Sequence, residues 1–169
     1  MRNYDEYRKQ NTESVKLFVD AKIGNTEAFA DEKALSPYLD INIKDHKGYS
    51  PLMYAAYYNH IDLVKWLITN GADVESPDRG GNTILMGVAF KGHIEVAQHL
   101  IRAGADVSAT NLIGMNALQF AQMFGRHDMA VLLDGAQEGF FRRTIQQVRL
   151  WGFYIAQKLQ SKKEITNGL

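Results

Sequence analysis

Residues 48–80 and 81–113 align without a gap, and this 33-residue period constrains the fold more than any other feature of the chain. The two copies share Gly48/Gly81, Leu52/Leu85, Met53/Met86, Ala56/Ala89, His60/His93, Ile61/Ile94, Leu67/Leu100 and Ile68/Ile101. Each closes on the same four residues, Gly71-Ala72-Asp73-Val74 and Gly104-Ala105-Asp106-Val107. A weaker third copy starts at Gly114 and keeps Leu118, Gly125 and Leu133 in register. A period of this length makes each copy one supersecondary unit that shares its core with its neighbours.

The unit itself is readable. Ser50-Pro51 places a hydroxyl N-cap ahead of a proline at the first helical position, and Leu52, Ala55 and Ala56 then supply an apolar helix face. Asn59, Gly92 and Gly125 end this short helix, the glycines because they tolerate positive φ. A second helix follows, with Ile61, Val64, Leu67 and Ile68 at three- and four-residue spacing, and Gly71 and Gly104 end it. Two helices of about two turns each cannot bury their apolar faces alone, so the units must stack.

The runs Gly48-Tyr49-Ser50-Pro51-Leu52-Met53-Tyr54-Ala55-Ala56 and Gly71-Ala72-Asp73-Val74 resemble the ankyrin repeat, whose pattern is Gly-x-Thr-Pro-Leu-His-x-Ala-Ala, then Gly-His, then Gly-Ala-Asp. The resemblance is partial over 114–136, where Asn116-Ala117 replaces Thr-Pro. Upstream, Asp20-Ala21-Lys22-Ile23-Gly24-Asn25 and Asp40-Ile41-Asn42-Ile43-Lys44-Asp45 resemble parts of an N-terminal repeat with two extra residues of spacing. It implies an all-α, single-domain ankyrin-repeat solenoid of about four stacked helix-turn-helix repeats with a long C-terminal capping helix. The expected boundaries are 1–47 for an N-terminal helix and divergent capping repeat, 48–80, 81–113 and 114–136 for the repeats, and 137–163 for the C-terminal helix. Where the family has a histidine tied to the turn threonine, this chain has Met53, Met86 and Gln119, so that polar tie is expected to be missing and the methionines to contribute packing.

Composition narrows the function classes. The 19 Lys plus Arg balance 19 Asp plus Glu, which does not suggest a nucleic-acid partner. The charge is nonetheless uneven. Arg142, Arg143, Arg149, Lys158, Lys162 and Lys163 oppose only Glu138 and Glu164, which gives +4 from residue 138 onward and −4 before it. The absence of cysteine removes thiolate chemistry and disulfides. No Gly-x-Ser-x-Gly elbow occurs, and Gly80-Gly81 fits a tight loop rather than a phosphate cradle. Acid pairs such as Asp5-Glu6 lie in polar stretches. His60 and His93 fall one repeat apart, roughly 8–10 Å, while two ligands of one zinc each lie within about 2.1 Å of it. They read as structural, and no catalytic residue, metal or cofactor is assigned. With no apolar leader and no span-length stretch, the expectation is a cytoplasmic, non-enzymatic monomer.

The resemblance implies a contact surface made of loop residues around the first glycine and residues just after the Ala-Ala pair. On this chain those are His46, Lys47, Tyr49, Tyr57 and Tyr58, then Arg79, Asn82, Phe90 and Lys91, then Leu112, Ile113, Met115, Met123 and Phe124. Tyr49, Tyr57, Tyr58, Arg79, Asn82, Phe90, Lys91, Leu112 and Met115 form the expected protein-binding set of an adaptor or accessory factor; a line of Tyr, Phe and Met is what interface hot spots are made of. Two alternatives stand beside it: a haem or small-ligand carrier, or accessory protein to a haem enzyme such as catalase, and peripheral membrane binding through the C-terminal helix. That helix rests on Phe141, Ile145, Val148, Gly152, Ile155 and Leu159, an apolar stripe at alternating four- and three-residue spacing. A lid on the shortened third repeat is the favoured reading of the stripe. Deleting the chain from Glu138 onward is therefore expected to give a protein with a lower melting temperature that aggregates; an unchanged, monomeric product would assign the stripe to a partner or a membrane surface.

Overall fold

A computed structural model describes residues 15–30 and 40–138, and among these the regular structure is entirely helical. Residues 15–23 form α1, followed by α2 (Thr26–Ala30), α3 (Pro51–Tyr57), α4 (Ile61–Thr69), α5 (Ile84–Lys91), α6 (Ile94–Arg102) and α7 (Ala117–Met123). Residues 127–133 are helical and pair with α7 as the second helix of the third copy; we label them α8. The chain divides into two compact units, Met1–Leu133 and Asp134–Leu169. Of the second unit residues 134–138 are described, and they are helical. The amphipathic stripe from Phe141 to Leu159 lies outside the described residues, as do residues 1–14 and 31–39 of the expected N-terminal repeat.

Within the first unit, first helices stack on first helices and second on second: α5 packs between α3 and α7, and α4 contacts both α2 and α6. The 33-residue register turns this into columns of buried side chains. Ala55, Val88 and Ala121 form one, Leu63, Val96 and Met129 a second, and Leu67, Leu100 and Leu133 a third, each member fully or almost fully buried. The small residues of the first column let the first helices approach closely, and the larger ones fill the space behind them.

Local chemistry starts each unit as its sequence predicts. Ser50, Thr83 and Asn116 cap α3, α5 and α7, each accepting a hydrogen bond from the backbone N–H three residues on (3.2, 3.3 and 3.0 Å). Asn59, Gly92 and Gly125 all adopt positive φ at the turn between helices. In two of the three units another bond takes the place of the missing polar tie. The Asn116 N–H donates to Gln119 Oε1 at 2.9 Å, and the Thr83 N–H meets Met86 Sδ at 3.4 Å, so a carboxamide and a thioether complete capping boxes.

The loops before each first helix repeat as well. Asp45, Asp78 and Asn111 accept from backbone N–H groups four residues on, at Tyr49, Asn82 and Met115 (2.9, 2.8 and 2.9 Å). Each also closes a backbone turn on the glycine at 48, 81 or 114. Neighbouring loops are stitched by Arg79 N–H to Lys47 O and Leu112 N–H to Gly80 O, both 3.1 Å. At Gly81, φ is +74° and a Cβ would stand 3.0 Å from the Leu112 nitrogen, so this glycine serves the turn and the close approach together.

The histidines are inter-repeat ties. His60 Nε2 lies 2.7 Å from Lys22 O and His93 Nε2 3.1 Å from Tyr57 O. Arg126, 33 residues after His93, donates its Nε–H to Phe90 O at 3.0 Å. A carbonyl only accepts, so His93 must carry its proton on Nε2. Burial lowers its pKa, outweighing the opposite effect of the Tyr57 hydrogen bond. Because the folded value lies below the unfolded one, the unfolded chain binds more protons between them. Stability is full above the unfolded value near pH 6.5 and is lost as pH falls through the folded value. Between about pH 7 and about pH 5 the melting temperature of the parent is expected to fall more steeply than that of His93→Gln, which keeps an N–H donor but cannot titrate. Parallel profiles would remove His93 from the acid response.

Candidate functional site

The first helices and their loops enclose a groove of about 400 Å³. Its floor and walls include Tyr49, Tyr54, Tyr57, Tyr58, Asn82, Gly87, Phe90 and Phe120, with Lys22, Lys47 and Asp78 among the charged residues that line it. The rings are in contact. Tyr58 meets Tyr57 edge-on with centroids 5.4 Å apart, Tyr57 stacks on Phe90 at 6.4 Å and 14°, and Phe90 meets Phe124 edge-on at 4.5 Å. Phe124 in turn stacks on Phe120 at 6.5 Å. On the other side Tyr49 stands edge-on to Tyr54 at 5.3 Å, and Phe18 of α1 meets Tyr54 at 6.1 Å. The row thus runs across successive units of the stack.

The groove has a specific origin in the register. Positions 54, 87 and 120 are equivalent in α3, α5 and α7, and they hold Tyr, Gly and Phe. Two large rings flank a residue with no side chain. Gly87 is mid-helix, and nothing in its surroundings demands glycine: its φ is not positive, and an added Cβ would come no nearer than 3.8 Å, to Tyr57 Cδ2. A helix-interior glycine costs about 1 kcal/mol relative to alanine. The visible consequence of that cost is the open space.

Charges at the groove are arranged asymmetrically. Asp78 spends its carboxylate on the Gly80 and Asn82 N–H groups and on the Asn82 carboxamide, and Asp45 on the Lys47 and Tyr49 N–H groups and the Tyr54 hydroxyl at 2.6 Å. Burial alone would raise the Asp45 pKa, but the hydrogen bonds from Tyr54, Tyr49 and Lys47, with the His46 charge, together hold it below the usual carboxylate range. Burial, then the Asp45 hydrogen bond, push the Tyr54 phenol well above its ordinary value; burial and the Asp78 charge raise Tyr49 too. Lys22 Nζ sits 4.5 Å above the Tyr54 ring and Lys91 Nζ 4.8 Å above Tyr57. Among the described residues no carboxylate forms an ion pair with Lys22, Lys47, Arg79 or Lys91.

The structure gathers Tyr49, Tyr57, Tyr58, Asn82 and Phe90 of the expected set into the groove, with Lys91 on its ring row. Tyr58 is half exposed, and Tyr49, Tyr57 and Phe90 are partly buried, Tyr57 against Phe90 and Tyr49 against Tyr54. The Asn82 carboxamide is engaged, donating to Asp78 and accepting from Asn111 Nδ2 at 2.7 Å. Arg79 is exposed on its loop, while Leu112, 79% exposed, and half-buried Met115 lie on the third loop away from the groove lining. Sequence reasoning passed over Lys22, Tyr54, Gly87 and Phe120. The signal was available for three of them, as the Tyr-Gly-Phe series at one register position.

No group of three or more metal-ligating side chains occurs among the described residues, and none of their helices is long and apolar enough to cross a membrane. His60 and His93 already use Nε2 between repeats, which leaves Nδ1 as the nitrogen outside those ties.

Stacked helix pairs joined by turn-capped loops, with a side-chain-lined groove over the first helices, define a solenoid repeat protein. The chain belongs to the ankyrin-repeat family: the family profile described as ankyrin repeats (3 copies) matches residues 7–111. Ankyrin repeats are generally protein–protein interaction modules and are typically non-catalytic.

If Gly87 serves the groove and not the fold, Gly87→Ala should raise stability by about 0.5–1 kcal/mol, read as a higher urea midpoint with unchanged slope. A loss of stability would show that the helix packing itself requires the glycine.

Proposed function

We propose that this protein is a non-catalytic adaptor or accessory factor that binds a protein partner in the groove over α3, α5 and α7. The observation that carries this reading is the conjunction at Gly87: a locally unfavourable residue holds open a space lined by contacting aromatic rings. Aromatic side chains offer large contact area for little rotamer entropy, which suits them to interface anchors. Their mutual contacts and the hydrogen-bonded loops fix them before a partner arrives, so less ordering is required on binding.

Within the groove Tyr58 is the anchor of choice for a test, since it is half exposed and its removal leaves no buried cavity. Partner proteins retained from a native extract by the immobilised parent are expected to bind Tyr58→Ala at least about tenfold more weakly. Gly87→Leu, which fills the groove, should act likewise, while Lys65→Ala on the solvent side of α4 retains full affinity. Calorimetry on the recovered partner with each variant, alongside melting curves, makes the comparison. Equal binding by parent, Tyr58→Ala and folded Gly87→Leu would move the interface off this face.

A further inference from the structure

Building on the groove reading, we infer that the occupant is an acidic segment of a protein partner, carrying at least one aromatic or branched apolar side chain flanked by carboxylates. The apolar side chain enters the space above Gly87, between Tyr54 and Phe120, and the carboxylates meet Lys22, Lys47 and Lys91.

The charge around the groove is the reason. Lys22 and Lys47 line it and Lys91 lies over the ring of Tyr57, and none of them is in an ion pair among the described residues. The carboxylates of the adjoining loops, Asp45 and Asp78, point their oxygens into those loops, where backbone N–H groups, the Asn82 carboxamide and the Tyr54 hydroxyl occupy them. Their role is structural, and the ammonium groups are what remain for a ligand. The residues before 138 carry a net charge of −4, so these lysines are not part of a chain-wide basic excess. Lys22 and Lys91 also rest on the rings of Tyr54 and Tyr57, which holds their charge at the rim of an apolar space.

The same facts select among anions. A single-stranded nucleic acid would also favour lysines beside aromatic rings. It needs a basic track for successive phosphates, however, and the two lysines that line this groove flank a space of about 400 Å³, room for one or two side chains. The stretch 138–169 of a second copy, with its charge of +4, would be repelled by the lysines. An acidic, apolar peptide segment satisfies both the rings and the ammonium groups.

The test is selection of random dodecapeptides displayed on phage against the full-length protein, followed by fluorescence anisotropy of the enriched peptides. Expected are peptides with net negative charge and an aromatic or branched apolar residue. Their affinity should fall at least about tenfold with Lys22→Gln/Lys47→Gln and with Gly87→Leu, and should weaken as salt is raised. Lys22 and Lys47 contribute backbone carbonyls to the repeat ties and loop stitch, which the substitutions leave in place. Neutral or basic peptides that still lose binding in Gly87→Leu would overturn the acidic class while leaving the groove reading intact. Peptides indifferent to Gly87→Leu, or no enrichment at all, would overturn both. Tighter binding of a labelled oligothymidylate than of any enriched peptide, lost in the double lysine variant, would replace the peptide with a nucleic acid.

Discussion

Helices α3 to α7 run seven to nine residues, too short to persist alone in water. Everything else in the structure depends on how that deficit is met. Each unit buries its apolar side chains against the units before and after it, and the 33-residue period ensures that equivalent residues meet. The column of Ala55, Val88 and Ala121 sets the spacing of the first helices; those of Leu63, Val96, Met129 and of Leu67, Leu100, Leu133 fill behind it. Stability in such an array is largely the sum of nearest-neighbour interfaces, so a change at Val96 or Leu100 is felt on both sides.

Stacking by apolar contact alone would leave units free to slide, and the polar ties prevent this. His60, His93 and Arg126 reach back to the end of the preceding first helix, at Lys22, Tyr57 and Phe90. Asn42 and Glu75 accept from the N–H groups of Asp73 and Asp106 in the next unit at 2.8 and 2.7 Å. These bonds need directional geometry, whereas the hydrophobic columns tolerate small shifts. The consequence for function is that Tyr57 and Phe90, whose carbonyls are gripped by the next unit, have their rings aligned by the same bonds that align the repeats. The groove is therefore placed by the backbone and not by the rings alone.

The helix pairs, their caps and their turns were legible in the sequence because each depends on a residue type with one strong local preference: Ser50 before Pro51, Gly92 and Gly125 at positive φ, Leu and Val at helical spacing. The structural role of His60 and His93 was legible from their separation by one repeat, too wide for two ligands of one metal. The third repeat's use of Arg126 was not, because a guanidinium and an imidazole share only the ability to donate to a carbonyl. The capping roles of Met86 and Gln119 were likewise hidden: what completes the box is an acceptor atom at the right reach, and a thioether or a carboxamide can supply it. For the groove, the positions implied by the family resemblance already included the tyrosines at 49, 57 and 58 and Phe90. They did not reveal that Asn82 is bound up in the loop ladder with Asp78 and Asn111, since that depends on contacts 29 residues apart.

Gly87 is where the local and the global levels of the sequence disagree. Leu85, Met86, Val88 and Ala89 all favour the buried helix they occupy, yet the residue among them is the weakest helix former after proline. In the turns, glycine answers to a positive φ or to a neighbouring backbone; here neither applies. A sequence specifies its fold when each local choice agrees with the whole, and departures concentrate where function makes its own demand. An alanine at this position would complete α5 and project a methyl group toward Tyr57, reducing the space between Tyr54 and Phe120. The glycine gives up helix stability and keeps that space, so the register position least suited to the solenoid is the one most suited to receiving a side chain from another molecule.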